Sequence, residues 1–239
     1  SQKDPQAAYE LRFLRGIYGP GDDWSSVPQE FCEGVIKGTE VCPGKAVHVG
    51  RPVGPFLKGV WYDGAAPAVP IGYIGSGTLG PLDKLAQEVI AAAGHFGNRT
   101  AQSNVGVQYL VNTPSGFNTP GYKAQYCAFH GIVHSTYGDL TFVNLPYLTD
   151  AEAVQVSPSS RFGVSCGQNF VNPGEGGTYD GVSMGLGHEI LEIVSDADPG
   201  KGRTDASGSE NADKCAYSAK GLGHVANLRP ATGPFTAPR

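Results

Sequence analysis

Apolar residues that recur at helical spacing predict two helices in this chain. The first covers residues 83–93, follows a Gly-Pro turn and ends at Gly94. The second covers residues 181–195, with Asp180 as its N-cap. The stripe that defines the second helix consists of Val182, Leu186, Ile190 and Ile193. Both segments therefore have one face suited to a protein core.

Alternating apolar and polar residues, or short apolar runs, predict strands elsewhere. These segments are 58–62, 105–111, 126–135 and 140–145, and a loop rich in Ser, Gly, Asn and Pro follows over 155–177. A few strands combined with two helices favour an α+β domain. We expect a small sheet, antiparallel or mixed, that is backed by helices.

The first fifth of the chain lacks such patterns. Residues 1–50 contain several Gly and Pro turns and are predicted to form an irregular N-terminal arm on a domain that spans 51–239. Cys32 and Cys42 flank a short glycine-containing segment, so we expect them to close a local disulfide loop. The other three cysteines lie far apart, and no Cys-x-x-Cys motif supports a zinc ribbon.

Composition and charge exclude several classes of function. The 35 glycines and 18 prolines make up more than a fifth of the 239 residues, which excludes a coiled coil. The net charge is −5 and the basic residues are scattered, so neither a nucleic acid nor a membrane is an expected partner. Sparse charge, one methionine and five cysteines favour a secreted, extracellular protein. In that setting, Asn98 in Asn-Arg-Thr is a glycosylation site.

The second predicted helix carries the candidate chemistry. His188 and Glu192 are four residues apart, so their side chains share one helix face. This is the geometry by which His-Glu-x-x-His places two ligands on one zinc ion, and a carboxylate is an acceptable ligand in the second position. Glu189 then lies beside the metal, as a general base for its bound water.

A zinc site needs a third protein ligand, and the sequence offers two sources. One is the turn directly after the helix, which contains Asp196 and Asp198. The other is a later acidic segment, in which we prefer Glu210 and place Asp213 second. Three glycines in the same helix, Gly181, Gly185 and Gly187, also need an explanation. Close approach of another backbone, or room for a ligand, would supply one.

Other interpretations compete with a metal site. His188 and Glu192 could be a hydrogen-bonded pair within a partly buried helix. Glu189 and Glu192 could be the acid and base of a glycan-acting enzyme, but side chains three apart on a helix diverge by roughly 60°. His130 is either a structural histidine or a group that faces the cleft and contacts substrate or an oxyanion. It cannot share a metal with His134, because residues four apart in a strand are separated by roughly 13 Å.

Four motifs in fixed order resemble the phosphate-induced protein 1 (Exordium-like) family and related secreted microbial proteins. They are Tyr126-Cys-Ala-Phe-His130, Asn144-Leu-Pro-Tyr147, the helix motif from Gly187 to Asp196, and Glu210-Asn-Ala-Asp-Lys-Cys215. The resemblance covers roughly residues 105–217 and implies an extracellular protein with a zincin-like core. Its helix motif carries over onto His188, Glu189 and Glu192, and less closely onto Glu210 and Asp213.

Two functions are therefore expected. The first is a secreted zinc metallopeptidase, a monomer that hydrolyses peptide bonds of a peptide or protein substrate. The second is a non-catalytic extracellular or cell-wall protein, which binds a glycan or another protein and keeps a structural metal. Bound zinc together with peptide hydrolysis would separate the first from the second.

Overall fold

The computed structural model describes the backbone of most of the central part of the chain. The described residues are 3–17, 32–33, 47–48, 56–64, 78–79, 84–151, 166–199, 204, 206–213, 216, 225–228 and 237–238.

Four α-helices, two 3₁₀ helices (Leu148–Asp150 and Gly174–Gly177) and eight strands occur among these residues. The helices are α1 (Pro5–Gly16), α2 (Lys84–His95), α3 (Ala101–Asn104) and α4 (Asp180–Ser195). The strands are β1 (Cys32–Glu33), β2 (Val47–His48), β3 (Thr78–Leu79), β4 (Gln108–Asn112), β5 (Phe129–Ser135), β6 (Gly138–Leu145), β7 (Asn227–Leu228) and β8 (Ala237–Pro238).

A mixed four-stranded sheet lies at the centre, in the order β3-β5-β6-β4. β5 and β6 form an antiparallel hairpin, with Phe129 opposite Asn144 and Ser135 opposite Gly138. The β4 strand runs parallel to β6, and β3 runs parallel to β5. This confirms the predicted α+β class with a small sheet backed by helices.

Helix α4 packs on one face of the sheet. A Cβ added at Gly185 would lie 3.5 Å from the Ala128 side chain and 4.0 Å from that of Leu145. His130 follows Ala128 by two positions and therefore points to the same face. The β5 strand thus presents His130 to the helix that carries His188, Glu189 and Glu192.

The prediction that residues 1–50 are irregular is wrong for α1. Asp4 caps this helix by accepting a hydrogen bond from the Ala7 amide at 2.9 Å, and Pro5 occupies its first turn. Its residue Phe13 is completely buried in the core. The Gly and Pro turns elsewhere in the segment led to the irregular prediction, although Asp4 followed by Pro5 is a sequence signal for a helix start.

Hydrogen bonds fasten α1 to distant parts of the chain. The Gln6 side chain accepts from the Leu148 amide at 2.8 Å, and Asp4 accepts from the Tyr147 hydroxyl at 2.8 Å. Tyr9 shares a hydrogen bond of 3.2 Å with Ser183 of α4. The first helix is thus part of the domain core.

The strand patterns gave mixed results. The helix predicted at 83–93 and the strands predicted around β4, β5 and β6 are confirmed within a few residues. The strand predicted at 58–62 is wrong, because these residues pair with no other strand in the described part of the chain. Their aromatic content serves side-chain contacts instead, since Trp61 stacks on His95 with ring centroids 4.4 Å apart.

None of the described helices has the length and apolar character to cross a membrane.

Candidate metal centre

Helix α4 begins one residue earlier than predicted. Tyr179 is its N-cap and Asp180 its first residue, so the prediction of Asp180 as N-cap is wrong. The buried Asp180 carboxylate accepts hydrogen bonds from the amides of Val171 (2.9 Å) and Asn172 (2.7 Å), and from the Asn172 side chain (2.8 Å). It therefore fixes the preceding loop against the start of the helix.

The glycine at the start of α4 is required by a close backbone approach. A Cβ at Gly181 would lie 1.9 Å from the carbonyl oxygen of Cys166, which no other residue type can accommodate without movement. Cys166 is disulfide-bonded to Cys127, with the two Cα atoms 5.3 Å apart. The disulfide joins the loop before α4 to the segment before β5. Close approach of another backbone is thus confirmed as an explanation for Gly181.

His188, Glu192 and Asp213 form the first cluster of candidate metal ligands. His188 Nε2 lies 3.1 Å from Glu192 Oε1 and 3.7 Å from Asp213 Oδ1. Glu192 is almost fully buried, whereas the side chains of His188 and Asp213 are 23% and 33% exposed. The cluster therefore has one buried ligand and two that face its more open side.

This cluster fits a zinc ion. Zinc binds nitrogen and oxygen at about 2.0–2.2 Å, and a tetrahedral arrangement then separates neighbouring ligand atoms by about 3.4 Å. The distances of 3.1 and 3.7 Å lie on either side of that value. The buried Glu192 Oε1 forms an ion pair with His188 Nε2 but has no hydrogen bond of regular geometry. A buried carboxylate oxygen without a hydrogen bond is costly, and a metal ion would compensate it.

His130 is the centre of a second, deeper cluster. Its Nδ1 lies 3.0 Å from Glu189 Oε2 and 3.6 Å from Glu192 Oε2. Its Nε2 lies 3.0 Å from the carbonyl oxygen of Asp196 and 3.4 Å from Glu210 Oε1. The two clusters share Glu192, which presents one oxygen to each histidine.

The carboxylates dominate the electrostatics of both clusters. Burial acts to lower the pKa of His130, but Glu189 and Glu210 raise it to about 11. Burial acts in the same direction on His188, and contacts with Glu192 and the charges of Glu189 and Asp213 raise its pKa to about 9. A bound cation is one way to stabilise this concentration of negative charge.

The neighbouring carboxylates also affect the pKa of the buried Glu192. Burial raises its pKa, and the charges of Glu189 and Glu210 raise it further, while His188 acts to lower it. A divalent cation beside Oε1 would favour the ionised carboxylate and reverse this shift. Both the raised pKa of Glu192 and the distances between the ligand atoms are therefore consistent with a bound divalent cation.

The structure places the two candidates for the third ligand in different clusters. Asp213 accompanies His188 and Glu192, whereas Glu210 lies beside His130. The two residues of the turn after α4 join neither cluster of the described residues through their carboxylates. Asp196 takes part through its backbone carbonyl, which accepts a hydrogen bond from His130.

His130 does not face a cleft as one of our interpretations required. It is 5% exposed, and both ring nitrogens are engaged by protein acceptors, so neither is left for substrate or an oxyanion. His134 lies apart from His130, at the exposed end of β5, where its Nδ1 is 2.7 Å from Asp139 Oδ1. The contact between His130 and Glu189 was missed, because it depends on how β5 packs against α4.

Two predicted modifications remain predictions. Cys32 begins β1, but its side chain and all of Cys42 lie outside the described residues, as does Cys215. The Asn98 side chain is partly exposed and donates a hydrogen bond to the Tyr109 hydroxyl at 2.9 Å. A glycan on Asn98 would have to be compatible with that contact.

Comparison with known proteins adds no assignment. No protein-family model, curated protein or solved structure matches this chain. The function must therefore be argued from the two clusters.

Proposed function

We propose that this chain is a secreted zinc metallopeptidase with a zincin-like core, and the geometry of α4 and Asp213 carries this proposal. Glu192 Oε1 is buried, has no hydrogen bond of regular geometry and lies 3.1 Å from His188 Nε2, with Asp213 Oδ1 3.7 Å from the same nitrogen. Three ligand atoms of the types that zinc prefers thus converge, and an open coordination position is what a catalytic site needs.

Each residue has a distinct role in this proposal. His188, Glu192 and Asp213 hold the ion, and Glu189 accepts the proton of the attacking water and passes it to the leaving amine. Zinc, when bound, supplies Lewis acidity that polarises the scissile carbonyl and lowers the pKa of water. Because Glu189 adjoins His188 in the helix, it is at the same end of the site as the ligands.

The disulfide supports the extracellular part of the proposal. Disulfides persist in oxidising compartments and are rare in the cytosol. The Cys127–Cys166 bond lies within the core and joins the two segments that lead into β5 and α4. A peptide or protein outside the cell is therefore the proposed substrate.

Metal content and turnover test the proposal together. We expect purified protein to carry one zinc ion by elemental mass spectrometry. H188Q and D213N should each weaken zinc affinity by more than about 100-fold, since even outer-shell changes cost about 10–100-fold. The matched controls H134Q and D139N change an exposed pair that joins β5 to β6, and both variants should bind zinc normally.

The Glu189→Gln variant then separates binding from chemistry. It should keep its zinc and lose about 10²–10⁴-fold in the rate of cleavage of a peptide library, as expected for removal of a general base. E175Q changes an exposed glutamate in the 3₁₀ helix Gly174–Gly177, which precedes α4, and is the control. Absence of zinc from the wild type, or full activity of E189Q, would refute this assignment.

One observation favours the second candidate, a non-catalytic extracellular protein with a structural metal. The Glu189 side chain is only 8% exposed and is hydrogen-bonded to His130. A base with so little exposure has restricted access to substrate. If chelation lowers the melting temperature while no peptide or glycan is cleaved, the second candidate is correct.

A further inference from the structure

The ring of His130 connects two parts of α4 to the central sheet. From β5, Nδ1 meets the Glu189 carboxylate at 3.0 Å, and Nε2 meets the backbone carbonyl of Asp196 at 3.0 Å. Asp196 is the C-cap of α4, and Glu189 lies nearly two turns earlier. One ring thus spans the part of the helix that carries the proposed metal ligands and base.

The carbonyl partner fixes the direction of one of the two hydrogen bonds. A backbone carbonyl can only accept, so Nε2 carries a proton and donates it to Asp196. Nδ1 and Glu189 Oε2 share the other hydrogen bond, at 3.0 Å. The next neighbours of the ring, Glu192 Oε2 and Glu210 Oε1, lie farther away, at 3.6 and 3.4 Å. Glu189 and Asp196 are therefore the closer contacts of the ring.

This arrangement determines what Glu189 can do. A hydrogen bond to Oε2 occupies one carboxylate oxygen and fixes the rotation of the group, which leaves Oε1 to take a proton. β5 is an interior strand of the sheet, flanked by β3 and β6, so the donor itself is held firmly. A base whose orientation is set before substrate arrives loses less entropy in reaching the transition state.

We propose that His130 is the positioning residue for Glu189, which it orients through Nδ1 while the Asp196 carbonyl holds its ring through Nε2. This inference rests on the proposed function, in which Glu189 is the general base. His130 itself touches neither substrate nor metal in this role.

Two isosteric variants separate positioning from simple structural support. The amide nitrogen of asparagine can take the place of Nδ1, and that of glutamine can take the place of Nε2. H130N therefore keeps a donor for Glu189 and loses the bond to Asp196, whereas H130Q does the reverse. We expect H130Q to lower kcat about 10–100-fold at unchanged KM and zinc content, in line with other outer-shell changes.

H130N is the decisive comparison. It should lose at least tenfold less kcat than H130Q, even where both variants melt at similar temperatures. H134Q changes the exposed histidine of the same strand and is the matched control. Equal losses in H130N and H130Q, or no loss in either, would overturn the proposal and leave the peptidase assignment intact.

A spectroscopic measurement tests the contact without any turnover. In the zinc-loaded wild type, ¹⁵N-histidine NMR should resolve the two ring nitrogens of His130. E189A should shift the Nδ1 signal, and E175A should leave it unchanged. A signal that is insensitive to E189A overturns the positioning role. An inactive wild type whose signal responds to E189A would instead refute the peptidase assignment and support the His130–Glu189 contact.

Discussion

Glu10 of α1 offers a quantitative test of the buried polar contacts that fasten this helix. Its side chain is buried, and both carboxylate oxygens accept hydrogen bonds from the Asn112 side-chain amide, at 2.8 and 2.9 Å. Burial raises its pKa from the ordinary 4.5 to about 7, opposed by the Asn112 hydrogen bond and aided by the charge of Asp4. The folded protein therefore favours the protonated acid.

The sign of the pH dependence follows from linkage. A carboxyl with a higher pKa in the folded state binds more protons when folded, so stability falls as pH rises from 4.5 to 7. A rise of this size corresponds to about 3 kcal/mol in total, most of which is lost between pH 5 and pH 8. Below the unfolded pKa the contribution is fully present.

The E10Q variant isolates this contribution. Glutamine keeps an acceptor oxygen for Asn112 but does not titrate, so between pH 5 and pH 8 the free energy of unfolding should fall by about 2–3 kcal/mol less than in the wild type. Urea denaturation at both pH values measures the difference, and E175Q is the exposed control. Identical pH dependence in E10Q and the wild type would refute the reasoning, whatever the absolute stability of the variant.

Further predictions concern the support of α4. G181A should destabilise the protein by about 3 kcal/mol or more, because its Cβ would overlap the Cys166 carbonyl, whereas G185A should be neutral or stabilising by up to about 1 kcal/mol; thermal melting compares the two, and equal melting temperatures would contradict the close approach. Replacing both Cys127 and Cys166 by alanine should cost about 4 kcal/mol for a loop of 39 residues, measured by urea denaturation. An unchanged urea midpoint would show that this disulfide does not constrain the unfolded chain.

The spacing of apolar residues along the chain was enough to predict several helices and strands. Helix α4 and the β5–β6 hairpin follow from apolar spacing, and the shared helix face of His188 and Glu192 follows from their separation of four. Helix α1 also had such a signal, in Asp4 followed by Pro5, but the surrounding turns outweighed it in our prediction. That error came from weighing composition above a capping motif.

Contacts between distant segments could not be predicted in this way. The parallel pairing of β4 with β6 depends on which strand the chain places at the edge of the sheet. The His130–Glu189 contact joins residues 59 apart and depends on α4 crossing β5 at one particular depth. Likewise, Asp213 and Glu210 are three residues apart, and only the folded chain shows which one approaches His188.

The fastening of α1 also has a consequence for the order in which this protein is made. Tyr9 and its hydrogen-bond partner Ser183 are separated by 174 positions. At a synthesis rate of about 5–20 residues per second, the first helix leaves the ribosome roughly 10–35 s before its partner on α4 exists. The contact between Tyr9 and Ser183 can therefore form only after α4 has been made, whereas the contacts of α1 with Asn112 and Leu148 have their partners earlier.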